Sequence, residues 1–195
     1  MPIEDPNIAP TSSPVLKHTA IGEKFVGVMC AFKKQRDRTK DNAPMLKPNG
    51  KVAQELVLTM MTMPGTTMQV GKVGEHRTPE TGEVVRAILK GKSFGHFIDA
   101  NNALGGKVGV GYIVEIGTDV AQAYDEKGAA IGPELRTQAE CDAVPRGRTL
   151  GYYGPLTIHV PTTADEVAWD TKASAYFNDA NRPVETAPVE DFAPF

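Results

Sequence analysis

Seven cations fall between Lys33 and Lys51: Lys33, Lys34, Arg36, Arg38, Lys40, Lys47 and Lys51, with only Asp37 and Asp41 to offset them. Side chains of this type at this density suit a polyanion. Each one that meets a phosphate releases condensed counterions, so such binding is tight at low salt and weak at high salt. Phe32 stands directly before the run, and an aromatic face beside cations can stack a base next to its own phosphate. A second grouping places Arg146 and Arg148 shortly before Tyr152 and Tyr153. Adjacent residues of a strand point to opposite faces, so at most one of these tyrosines can face a groove and the other packs inward. Lys72 and Arg77 are more isolated candidates for phosphate contact.

The other chemistry-bearing segment is Glu190-Asp191-Phe192-Ala193-Pro194-Phe195, at the end of the sequence. Acids followed by a terminal Pro-Phe suit capture by a basic, partly apolar pocket on another protein. There the carboxylates meet Arg or Lys and the ring fills a hydrophobic hole. Glu190, Asp191, Phe192, Pro194 and Phe195 are the residues expected to dock. Charge is distributed accordingly. Residues 17–92 carry fourteen Lys/Arg against seven Asp/Glu, whereas residues 161–195 carry two against seven. An anion-binding body with a separate acidic interaction tail fits that division better than the net charge of −3 does.

The elements that must position these residues read as mainly β. Lys24–Lys34 is rich in β-branched and aromatic residues and reads as a strand, with a bulge or bend at Gly27. After the turn signal Pro48-Asn49-Gly50, a second strand is expected over Val52–Met63 and a third over Thr66–Val73. From Pro79 the period changes to that of a helix, with Val84, Val85, Ile88 and Leu89 on one face, and a second helical piece follows over Ser93–Leu104. Strands return at Val108–Tyr124 and, after a long turn-rich connection, at Thr149–Val160; a short helix over Asp165–Phe177 precedes the tail. Phe25, Phe94 and Phe97 are expected in the core.

Three strands, one helical segment and two strands is the element order of the five-stranded OB-fold barrel, whose helix lies between strands three and four. The expected organisation is a flexible arm over residues 1–16, the barrel over 17–160, and a disordered acidic tail over 161–195.

Evidence for enzyme chemistry is thin. His18, His76, His96 and His159 are scattered without metal-ligand spacing, and no phosphate-cradling Gly-Lys-Ser/Thr loop occurs. Gly109-Val110-Gly111 lacks the following helix of a dinucleotide loop. A non-catalytic protein without metal or cofactor is expected. The sequence has no membrane-length apolar run, no secretion-signal pattern, and only Cys30 and Cys141 as thiols, from which a reduced cytoplasmic setting is expected.

The tip resembles that of bacterial single-stranded DNA-binding proteins, in which aspartates lead into Ile-Pro-Phe; here Phe192 and Ala193 stand where that pattern has Asp and Ile. Ile21–Phe25, Glu83–Ile88, Val144–Thr149 and Tyr153–Thr157 are similar to segments of actinobacteriophage proteins of the same type. The resemblance implies an OB-fold body that protects single-stranded DNA in phage replication, recombination and repair inside an infected bacterium. It also implies a tip that recruits replication or recombination enzymes; a single barrel covers few nucleotides, so a homo-oligomer is expected. Two other readings compete: a phage structural or assembly protein with a β-rich interaction module, and a binder of duplex or RNA on the same fold.

Overall fold

The computed structural model of the chain describes residues 13–36, 43–46, 50–71 and 75–180. Its longest strand, β2 (Lys24–Arg36), follows the two-residue β1 (Leu16–Lys17) and pairs antiparallel with β3 (Gln54–Thr62) along most of its length. After the two-residue β4 (Gln69–Val70), β5 (Val84–Leu89) adds to the far edge of β3. Helix α1 (Gly91–Ala103) leads to β6 (Ile113–Gly117), which pairs with the first half of β2. The last strand, β10 (Leu156–His159), pairs with β6, so the sheet runs β10-β6-β2-β3-β5 and is antiparallel throughout. Mainly β architecture with a helix before the fourth strand of this sheet is therefore present.

A smaller sheet extends it. β7 (Val120–Tyr124) lies between β8 (Ala130–Leu135) and β9 (Thr149–Tyr153), and α2 (Gln138–Asp142) follows β8. The connection that reads as turns thus contains a strand and a helix. Only Thr118 and Asp119 separate β6 from β7, and only Gly154 and Pro155 separate β9 from β10, so two bent arms run together through both sheets. At the bend the Gly117 N–H donates to Pro155 O at 2.9 Å. A Cβ on Gly154 would lie 2.4 Å from Gly117 O, so the close approach requires glycine.

The sheet does not close into a barrel among the described residues. The outer edge of β5 is already occupied: Arg86 N–H donates to Pro14 O at 2.9 Å, and Val15 bridges Arg86 in parallel. The N-terminal segment thereby takes backbone groups that a closing strand would need. Val84, Val85, Ile88 and Leu89 form strand, not helix, which corrects the sequence expectation. Both periods fit these four residues, and pairing with β3 decides: Val85, Ala87 and Leu89 are buried while Arg86 and Ile88 are not. Of the strand expected over Thr66–Val73, only Gln69–Val70 pairs as strand among the described residues.

The irregularity in β2 lies at Cys30, not Gly27. Register shifts between Met29 and Ala31, leaving Cys30 without a partner residue on β3. Gly27 stays in register, and its lack of a side chain makes room for the Phe25 ring, 2.5 Å from where a Cβ would stand. The extra residue reverses the alternation along β2. Upstream, Phe25 and Met29 face the main core; downstream that face carries Phe32, Lys34 and Arg36, opposite Leu58, Leu56 and Gln54.

Two helices cover the two faces. On the inner face Phe97 of α1 enters the cluster of Phe25, Met29, Leu58, Met60 and Val85, all removed from water. On the outer face α3 (Ala164–Ala180) packs Trp169, Ala173 and Tyr176 against Val28, Cys30, Met61 and Ile113. No helix among the described residues is long and apolar enough to cross a membrane.

α3 begins with a capping box: Glu166 N–H donates to Thr163 Oγ1 at 3.2 Å, and Glu166 accepts from the N–H groups of Thr162 and Thr163 at 2.7 and 3.0 Å. His159, 3.0 Å from the same carboxylate, is the main cause that holds Glu166 at about 2. The ordinary value is 4.5, so the folded state is favoured fully above that pH, and the advantage disappears as pH falls through 2. Glu166→Gln is expected to lower the melting temperature at about pH 6 and to melt like the parent near the acid limit, with Trp169 fluorescence reporting the helix. A difference undiminished in acid would overturn this assignment.

Candidate nucleic-acid interface

The downstream half of β2 places Phe32 on the inner face but beyond full cover. The residue is 46% exposed, and its ring centre lies 6.2 Å from that of Phe97, tilted by 47°. Lys34 and Arg36, two and four residues on, share that face and are exposed. Lys33 pairs with Val57 and points to the opposite face, so only part of the cation run stands beside the ring. Arg36, Lys51, Val52 and Gln54 line a polar recess of about 490 Å³ at the root of the β2–β3 connection. Two cations and an amide around one recess are donors suited to phosphate oxygens. Arg38, Lys40 and Lys47, which extend the same connection, lie outside the described residues, as does Lys72.

The remaining sequence candidates separate. Arg77 grips Glu83 through both terminal nitrogens, one at 2.8 Å, so its guanidinium already has an anion. Arg146 and Arg148 are exposed on the turn before β9, where Gly147 takes a φ of 92° and Arg148 N–H donates to Pro145 O at 3.4 Å. Both tyrosines of β9 are half-buried, on opposite faces. Burial pushes the Tyr152 phenol up, on the side where it meets Gln138 and Cys141 of α2. Tyr153 turns to the first turn of α1, where the Lys92 ammonium lies 3.0 Å from its hydroxyl and 4.6 Å from its ring centre. Residues 190–195 lie outside the described residues.

α1 therefore links the two aromatic positions, because Phe97 touches Phe32 and Lys92 touches Tyr153. Lys92 escaped the sequence reading because nothing near it in sequence marks it; its partners lie 42 and 61 residues away. His96 Nδ1 lies 2.9 Å from Gly154 O and ties the same helix to the β9–β10 bend. Beside it His96, Asp99, Leu104, Leu156 and Ile158 help line an open, mostly apolar groove of about 520 Å³ along β10.

Neither thiol is placed for nucleophilic work. Cys30 is fully buried and burial pushes it up to about 12, while Cys141 is raised for the same reason. No group of His, Cys, Asp and Glu among the described residues has the arrangement of a metal site. Comparison with family models, characterised proteins and solved structures finds no match to the chain.

Proposed function

We propose that the chain binds single-stranded DNA without catalysis, along a path from the β2–β3 connection past Phe32 to the first turn of α1. The observation that supports this most is the half-exposed Phe32 ring on one face with Lys34 and Arg36, above the Arg36–Lys51 recess. An aromatic platform flanked by cations gives affinity through stacking and phosphate neutralisation, neither of which reads sequence. The strand order β10-β6-β2-β3-β5, with α1 between β5 and β6 in the chain, supports an OB-fold reading, since that fold opened between its third and fifth strands would have this order. In that fold the connections between strands one and two and between strands four and five flank the ligand. Here, with β2, β3, β6 and β10 as strands one, two, four and five, they are residues 37–53 and 118–155.

The acidic C-terminal segment acts, in this proposal, as a recruiting tip for enzymes of phage replication or recombination, working in the cytoplasm of an infected bacterium. The test is a mobility-shift series with labelled oligo-dT, duplex DNA and RNA across salt concentrations. Oligo-dT is expected to shift at low salt and to be released steeply as salt rises. The chain lacking Glu190–Phe195 is expected to bind at least as tightly. Absence of any shift at low salt removes the proposal; preference for duplex or RNA replaces the ligand.

A further inference from the structure

Glu134, near the end of β8, holds three donors at once. Lys92 Nζ lies 2.7 Å from Oε1, the Tyr153 hydroxyl donates to the same oxygen, and Arg136 Nη2 lies 3.1 Å from Oε2. These come from the start of α1, from β9 and from the residue after β8, so the tertiary fold assembles them around one carboxylate. The two cations are far from buried: both side chains are 63% exposed, against 33% for Glu134. A structural ion pair this open contributes little to stability. An arrangement that gives each of two anionic oxygens its own donors has a ready equivalent. A phosphodiester also presents two anionic oxygens, and Arg and Lys bind either group.

We propose that Glu134 stands in for a nucleotide phosphate: in the free protein it occupies an anion site made by Lys92, Arg136 and the Tyr153 hydroxyl, and a phosphate of the bound strand takes its place. This rests on the single-strand reading above and deepens it in two ways. It assigns a second phosphate contact, made by residues other than those of the Arg36–Lys51 recess. It also selects Tyr153 over Tyr152 as the second stacking ring. Tyr153 borders the site through its hydroxyl, whereas Tyr152 faces Gln138 and Cys141 of α2. The hydrogen bond to Glu134 is the main cause that raises the Lys92 ammonium, and the same contact holds the Glu134 carboxyl low, so the donor and acceptor are fully charged near neutrality. A strand that displaces the carboxylate competes with that attraction, and Glu134 thereby weakens binding and makes it more dependent on a polyanionic ligand.

The experiment titrates fluorescent oligo-dT with wild type, Glu134→Gln, Glu126→Gln and the double variant Lys92→Met/Glu134→Gln. Glu126 is exposed in the β7–β8 turn and controls for loss of one negative charge in the same sheet. Glu134→Gln is expected to bind roughly fivefold more tightly than wild type, Glu126→Gln less than about twofold, and Lys92→Met is expected to cancel the gain. A gain in affinity cannot come from misfolding. Equal affinities for the two glutamine variants, or a gain that survives Lys92→Met, overturn the stand-in role while leaving wild-type DNA binding intact. Failure of every protein to bind oligo-dT overturns the single-strand reading and this inference together.

Discussion

Replacing Phe32 by alanine is expected to weaken oligo-dT binding by roughly tenfold to a hundredfold, the effect of losing one stacked base. Phe32 is 46% exposed and its ring is tilted against that of Phe97, so part of it is open to a ligand. The cost to folding should be much smaller, about 1 kcal/mol, because half of the side chain already meets water. Phe32→Leu separates the two roles. Leucine keeps most of the buried area but offers no aromatic face, so it should melt close to wild type and still bind poorly. Fluorescence titration with oligo-dT beside thermal melting reads both quantities. If the leucine variant binds as tightly as the parent, Phe32 is a packing residue and the proposed path is wrong.

Phe97→Ala should act in the opposite order, with stability first. Phe97 is 7% exposed and is the one α1 residue fully buried in the inner core, facing the sheet. Truncating a buried phenylalanine costs about 3–5 kcal/mol, part from lost transfer energy and part from the cavity left behind. Denaturant unfolding should show a midpoint lowered accordingly with an unchanged slope. DNA affinity should fall too, because α1 both backs Phe32 and presents Lys92 to Tyr153. A loss below about 1 kcal/mol would mean that α1 is not anchored through Phe97.

How legible all this was depends on the range of the interaction involved. β2 and β3 were readable because β-branched, aromatic and other apolar residues run through both between turn signals, and α1 ends where Gly105 and Gly106 take positive φ of 67° and 73°. Residues 84–89 were misread because Val-Val-Arg-Ala-Ile-Leu satisfies a period of 3.6 as well as 2. Only the ladder with β3, formed far along the chain, distinguishes them. That the sheet stays open among the described residues was illegible for a related reason: residues 14–15, read as a loose arm, take up the edge of β5.

The sequence by itself determined the separation of charge, the row of cations after Phe32, the β-rich character and the position of the inner helix, because these follow from composition and local periodicity. Tertiary structure alone decided which side chains stand together. The unpaired Cys30 turns Phe32, Lys34 and Arg36 onto the inner face and sends Lys33 to the other. The Lys92 side chain, at the start of α1, meets Tyr153 of β9 and Glu134 of β8, and Arg136 joins the same carboxylate, so groups from three places in the chain stand together. Face and neighbour depend on register, and a one-residue shift, invisible to any local pattern, reverses every side chain that follows it.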